Sequence, residues 1–317
     1  MPGQRQPTGM AFAFRDPLPW NDLAGIARAA ENAGYRAIFL PEITGRDALV
    51  TLGALVGVTR DLLLGTGVLP MRSRTPLLTA MGAATVDERS DGRLILGLGP
   101  GSVGRGALDE LAELIGTLRS LFAGETIERR GRPVGLSLRP RSDIPIWISA
   151  MGPKAMRLAG AIADGALLNW CSPERVAFAK ARIAEGAEAA GRDPAAVSLG
   201  VYVRSWVGRD AEAAMTVLRS AAGEYASYPA YARQFAQLGL GTEAEAAAAA
   251  HRAGRPENVP EVLVRAVSAF GERATARIAE FREAGADLIV VYPVPVGEPA
   301  ASIEGTLLAL APGAGAS

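Results

Sequence analysis

Eight times along this chain, a short run of consecutive apolar residues is followed by a longer segment with apolar residues on one helical face. The runs are Met10–Phe14, Ala37–Leu40, Leu62–Leu69, Arg93–Leu98, Ile144–Ser149, Ala166–Asn169, Val197–Val203 and Leu288–Tyr292. Strands that are apolar throughout are buried on both faces, as in a parallel sheet covered by helices. The intervening segments carry helix signals. Thr75 before Pro76 reads as an N-cap and first turn, and Gly34 ends a helix over Asp22–Ala33. Leu108, Leu111, Leu114, Ile115 and Leu118 form one side of a helix that runs to Phe122. Eight strand–helix units in 317 residues predict an α/β fold, a closed (β/α)8 TIM barrel. An open doubly wound sheet is the architectural alternative.

All of 1–317 is read as one barrel domain with two insertions. After strand 4, Glu125–Asp143 reads as a hairpin or extended excursion around Arg130-Gly131-Arg132-Pro133. After strand 7, about 211–273 reads as a helical insertion holding Tyr225, Tyr228, Tyr231 and the run Ala246–Ala250. The tyrosines either pack a helix or belong to a lid over the barrel mouth.

Composition excludes several function classes. The 33 basic and 33 acidic residues balance and are scattered, so there is no basic field for nucleic acid or an anionic membrane. Runs such as Leu288–Val291 are far too short to span a bilayer, and Met1 to Gly9 is polar, without an apolar signal segment. Cys171 is the one cysteine, which excludes an internal disulfide, and it reads as a small buried hydrophobe. A soluble cytoplasmic protein is expected. The one histidine, His251, falls in the second insertion, so neither a metal cluster nor a histidine-based nucleophilic triad is expected.

Chemistry in such a barrel sits at the C-terminal ends of the strands. Those ends are mostly glycine, backbone and apolar groups: Pro41-Glu42, Gly67-Val68-Leu69-Pro70, Gly99-Pro100-Gly101-Ser102, Met151-Gly152-Pro153-Lys154-Ala155 and Asn169. Glycine lets backbone approach a ligand closely and leaves N–H groups free to bind it. Gly97–Gly104 lacks the GxGxxG spacing and reads as a pocket floor rather than a Rossmann turn. Gly152-Pro153 opens a helix whose amides and dipole favour a phosphate, with Lys154 as a nearby point charge, although an ordinary turn would use the same residues. A pocket rich in backbone donors and poor in acids and bases suits a large planar cofactor that carries its own chemistry.

These residues carry a family resemblance. Gly65-Thr66-Gly67-Val68-Leu69-Pro70, Arg74-Thr75-Pro76, Ala83-Ala84-Thr85, Asp87, Gly92-Arg93 and Leu96-Gly97-Leu98-Gly99 resemble the luciferase-like flavin and deazaflavin oxidoreductases, in order and spacing over residues 8–210. Gly152-Pro153-Lys154, Leu158-Ala159-Gly160, Ala163-Asp164-Gly165 and Asn169 resemble the coenzyme F420 branch, which includes methylenetetrahydromethanopterin reductase and F420-dependent glucose-6-phosphate dehydrogenase. The resemblance implies a deazaflavin across the barrel mouth and a non-prolyl cis peptide at the strand-three bulge, between Gly67 and Val68. It implies that Pro41, Pro70, Pro100, Gly101, Met151, Gly152, Lys154 and Ala155 line the coenzyme, with its phosphate at the strand-five loop; Gly67, Val68, Ser102, Pro153 and Asn169 join the candidate cofactor-binding set. Glu42 falls where the sugar-phosphate dehydrogenase has its histidine proton donor, and Ser102 where that enzyme and the pterin reductase have a carboxylate. Neither substitution preserves the group.

The function expected is an F420-dependent oxidoreductase that transfers hydride between the deazaflavin and a small organic substrate, with Glu42 and Ser102 as catalytic candidates and no metal. Two alternatives stand beside it. One is an FMN-dependent luciferase-like monooxygenase using reduced flavin from a partner reductase; the other is a barrel that binds a flavin or ligand without turnover. Gly53, Ala54 and Gly57, and Ala80, Ala83 and Ala84, mark the helices after strands two and three as an expected homodimer contact.

Overall fold

The computed structural model describes residues 8–14, 18–101, 104, 106–140 and 143–313. Its strands are β1 (Gly9–Ala13), β2 (Ala37–Leu40), β3 (Leu63–Thr66), β4 (Leu94–Gly99), β5 (Ile146–Ser149), β6 (Gly165–Asn169), β7 (Ser198–Trp206) and β8 (Leu288–Pro293). Every strand pairs in parallel with the next, and β8 pairs with β1, so the sheet closes into a barrel and the doubly wound alternative falls. Helices α1 (Trp20–Asn32), α2 (Ala48–Leu55), α3 (Pro76–Ser90), α4 (Ala107–Phe122), α5 (Pro153–Ile162) and α6 (Pro173–Ala189) follow the first six strands. The insertion after β7 holds α7 (Ala211–Ala226), α8 (Pro229–Gln237), α9 (Gly241–Arg252) and α10 (Glu261–Ala266). Helix α11 (Ala274–Glu283) leads into β8, and α12 (Pro299–Ala309) closes the chain. The excursion after β4 is an antiparallel hairpin, Ile127–Arg129 against Arg132–Val134.

Alternate strand residues divide the core. Phe39, Trp147, Leu167, Tyr202 and Val290 point into the barrel, whereas Phe12, Ile38, Leu64, Leu96 and Ile148 pack under the helices. The Phe39 and Trp147 rings fill the interior with centroids 5.9 Å apart. Glycines make the room: a Cβ at Gly65 would strike Phe39, and one at Gly165 or Gly200 would strike Trp147. At the strand entrances, buried Asp164 accepts the Ile146 N–H at 2.8 Å and the Arg119 guanidinium at 3.0 Å, and Asp287 accepts the Leu199 N–H at 2.8 Å. Glycine also sets the α5–α6 spacing, where a Cβ on Gly160 would meet the Ile183 carbonyl and one on Gly186 the Arg157 carbonyl.

Three details differ from the sequence reading. The third strand does not run unbroken over Leu62–Leu69: β3 stops at Thr66, and pairing with β4 resumes only at Leu69–Pro70. The seventh strand does not stop at Val203 but continues to Trp206, because Arg204, Ser205 and Trp206 pair with a short strand at Ser268–Phe270. Finally, Ala80, Ala83 and Ala84 are 0% exposed and face the barrel rather than a partner.

Candidate functional site

The break in β3 forms the floor of the site. Leaving the ladder would orphan Gly97, and Thr66 prevents this: its hydroxyl donates to the Gly97 carbonyl and accepts the Gly97 N–H, both at 2.8 Å. On the other side the Gly67 N–H reaches the Leu40 carbonyl at 2.8 Å. The Gly67–Val68 peptide is cis. A Cβ at Gly67 would collide with the Tyr202 hydroxyl, and one at Gly99 would lie 2.6 Å from Val68, so the floor tolerates no added atom.

Above it lies a cavity of about 930 Å³ at the C-terminal mouth of the barrel. Every candidate from the sequence that falls among the described residues lines it: Pro41, Glu42, Gly67, Val68, Pro70, Pro100, Gly101, Met151, Gly152, Pro153, Lys154, Ala155 and Asn169. Ser102 lies outside the described residues. Helices α4 and α5 both begin at this cavity, and neither has a side chain capping its N-terminus. The neighbouring α2 and α3 are capped by Asp47 and Thr75. Among the described residues the first-turn amides of α4 and α5 therefore have no side-chain cap beside an open space, and a Cβ at Gly104, Gly106 or Gly152 would meet nothing within 4 Å. Arg175, 4% exposed, donates to the Met151 carbonyl at 2.7 Å and fixes the loop before α5.

Glu42 is held by donors. Arg74 donates to both of its oxygens at 3.0 Å, the Ala48 N–H donates at 3.2 Å and the Ser73 hydroxyl at 3.3 Å. Arg74 also pairs with Asp47. The hydrogen bond to Glu42, with burial opposing, raises the Arg74 guanidinium above its ordinary value. Glu42 thus both faces the cavity and serves the first turn of α2.

The opposite wall is aromatic. Tyr202, Tyr225, Tyr231 and Tyr292 line it together with Arg204. Burial pushes the Tyr202 and Tyr231 phenols up, so both stay neutral hydrogen-bonding groups. Cys171 is fully buried beneath, its thiol pushed up to about 12 by desolvation, as expected of a packing residue.

Residues 2–288 match the luciferase-like monooxygenase family. The chain belongs to that family. Among its relatives, a 5,10-methylenetetrahydromethanopterin reductase of Methanolobus tindarius is 33% identical over 217 residues, 64% of this chain and 66% of that protein. An F420-dependent glucose-6-phosphate dehydrogenase of Beutenbergia cavernae is 32% identical over 181 residues, 49% of this chain and 52% of that protein. The chain spans somewhat less than two thirds of the length of the curated relatives it matches. The solved coenzyme F420 dependent tetrahydromethanopterin reductase of Methanopyrus kandleri shares the fold, with a TM-score of 0.80 at 23% identity over 95% of this chain and 97% of that one.

Within this luciferase-like barrel, the family motifs divide by role. Thr66 and Gly99 build the floor, whereas Asp164 and Gly160 serve packing at a distance from the cavity. Of the two roles left open for the insertion tyrosines, Tyr225 and Tyr231 take the one at the barrel mouth, and the sequence reading missed that Tyr202 and Tyr292 join them. Tyr225, Tyr228 and Tyr231 do not share a helix: α7 ends at Ala226, Tyr228 precedes α8, and the turn brings Tyr225 and Tyr231 to a centroid distance of 4.8 Å. Pro229, which cannot continue a helix but suits a first turn, was the available signal.

Proposed function

We propose that this protein is a coenzyme F420-dependent oxidoreductase that moves hydride between the deazaflavin and a small organic substrate in the barrel mouth. The observation that carries the reading is the glycine floor lying beside the two uncapped helix N-termini, in a family whose relatives include proteins named for F420. The donor set fits the coenzyme: open space at Gly152 and the amides of α5 suit a phosphate, and Lys154 stands exposed at the same loop.

When bound, the deazaflavin supplies hydride exchange at its C5 carbon. Gly67, Val68 and Pro70 would back the ring, with Pro41, Pro100 and Gly101 along its border. Met151, Gly152, Pro153, Lys154 and Ala155 would hold the phosphate, and Asn169 would complete the set. Glu42 is the group we assign to proton handling, its carboxylate oriented by Arg74; Ser102 keeps its assignment from the sequence motif alone. The cavity walls exclude water and position the substrate.

The protein works as a homodimer in the cytoplasm. Val50, Leu78 and Met81, on the outer faces of α2 and α3, are 71%, 50% and 52% exposed, an apolar surface that a partner would cover. One fully buried thiol is consistent with a reducing compartment. Titration with F420 and with FMN, followed by fluorescence, tests the coenzyme. F420 is expected to bind the more tightly, and micromolar FMN binding with no F420 binding would replace this reading by the flavin monooxygenase.

A further inference from the structure

The aromatic wall holds a guanidinium that the cofactor does not account for. Arg204, at the C-terminal end of β7, lines the cavity and is 5% exposed. Its guanidinium lies 3.7 Å from the Tyr292 ring centroid, 4.7 Å from that of Trp170 and 5.7 Å from that of Tyr225. Its hydrogen bond goes to a neutral acceptor, the Asn169 Oδ1 at 3.0 Å. Asn169 is locked in turn, because its amide donates to the Tyr231 hydroxyl at 2.9 Å, and Gln234 donates to the Asn169 and Trp170 carbonyls at 2.9 and 2.6 Å. The side chain is therefore held from several directions.

Its charge, by contrast, is unmatched. Among the described residues no carboxylate pairs with Arg204. The acidic groups on the cavity wall are spent or distant in role: Glu42 is bound by Arg74, and Asp109 is exposed at the start of α4. Arg93, a part-buried guanidinium beside the sheet, uses its donors on the Leu62, Ser90, Val56 and Thr59 carbonyls and on the Thr59 hydroxyl, and buried Arg175 gives one to the Met151 carbonyl. A guanidinium has five N–H donors in a planar fork, and a desolvated one gains most from a second charged or strongly accepting partner. Stacked rings compensate part of the lost hydration but leave the fork edge available.

We infer that Arg204 anchors a carboxylate, or an equivalent anionic oxygen pair, on the substrate, and that the flat tyrosine faces around it receive an apolar planar body. Resting on the proposed function, this names the substrate class of that site: a small planar acid, held with its charged end at β7 and its reacting end toward the glycine floor. Lys154 and Arg233, both exposed on the lining, add attraction for an anion entering the mouth.

The test uses the full chain without coenzyme, and the probes are benzoate and its neutral isostere benzamide, followed through tryptophan fluorescence, since Trp170 lies under Arg204. Benzoate is expected to bind about tenfold or more tightly than benzamide, and Arg204→Met to abolish that preference, as befits removal of a buried charged partner. Arg204→Lys keeps the charge without the fork and should retain part of the preference, which also serves if the methionine variant does not fold. Equal binding of the two probes by the natural protein, binding of neither, or a preference that survives Arg204→Met would each overturn the inference. A residue that merely glues α8 to the barrel would give no discrimination by charge. F420 titration of the same samples keeps the two readings separate. Absence of F420 binding beside an intact benzoate preference would remove the coenzyme alone, and F420 binding by the natural protein without that preference would remove the anion anchor alone.

Discussion

Replacing Thr66 by valine asks how the floor is held. The two side chains have nearly the same shape, so the change removes a hydroxyl and little else. That hydroxyl bridges the Gly97 carbonyl and N–H at 2.8 Å each, in a place that is 0% exposed. Backbone pairing cannot substitute, because β3 registers with β4 at Leu64 and Gly65 and not again until Leu69. Each lost bond has a net value of about 1 kcal/mol, and each orphaned buried group adds about 1–3 kcal/mol. Because the two bonds share one hydroxyl, their losses do not add fully, and Thr66→Val should cost about 2–4 kcal/mol. Thr66→Ser keeps the bridge and removes one buried methyl, at a cost of about 1 kcal/mol. Urea unfolding followed by tryptophan fluorescence measures both, with unchanged slopes marking a change in stability alone. A valine variant as stable as the natural protein, or a serine variant damaged equally, would refute the account of the bridge.

Gly152→Asp should leave the fold intact, since a Cβ there meets nothing within 4 Å, and should weaken F420 binding by at least about 2 kcal/mol through like charge at the phosphate; unchanged affinity in the titration would make Gly152 a turn glycine only. Ala80→Arg should unfold the protein, as position 80 is fully buried, whereas Met81→Arg should give a folded monomer by sedimentation if α2 and α3 form the dimer contact. Stability should fall as pH rises above about 9, because unfolded Cys171 ionises near its ordinary 9 while the folded thiol holds its proton up to about 12. The buried phenols of Tyr35, Tyr202 and Tyr231, also pushed up, act in the same direction above about 10. Tyr35→Phe should flatten that alkaline decline in a denaturation series.

The barrel was legible because its signals are local. A both-faces-buried strand such as Leu94–Gly99 announces itself through unbroken apolar residues, and Thr75-Pro76 and Gly152-Pro153 mark helix starts within two positions. The glycine floor was legible through its motif. What escaped depends on partners far apart in the chain. Arg74 reaches Glu42 across 32 residues, and nothing in either neighbourhood specifies the encounter. The aromatic wall joins Tyr202, Tyr225, Tyr231 and Tyr292 from four elements, and only closure of the barrel and the break at Pro229 bring them together.

The two walls of the cavity also differ in what mutation can do to them. A peptide N–H is encoded by no particular side chain, so the amides at the start of α5 persist through almost any substitution that fits. The tyrosine wall is all side chain, and much of it hangs on α7 and α8, which rest with α9 on an apolar cluster of their own around Leu218, Phe235 and Ala247. Substitutions at 225–233 can therefore redraw the substrate chamber without disturbing the floor. On the proposed function, such a barrel changes substrates while keeping one coenzyme, and libraries aimed at new specificity belong in the insertion, with Gly67, Gly99 and Gly152 left alone.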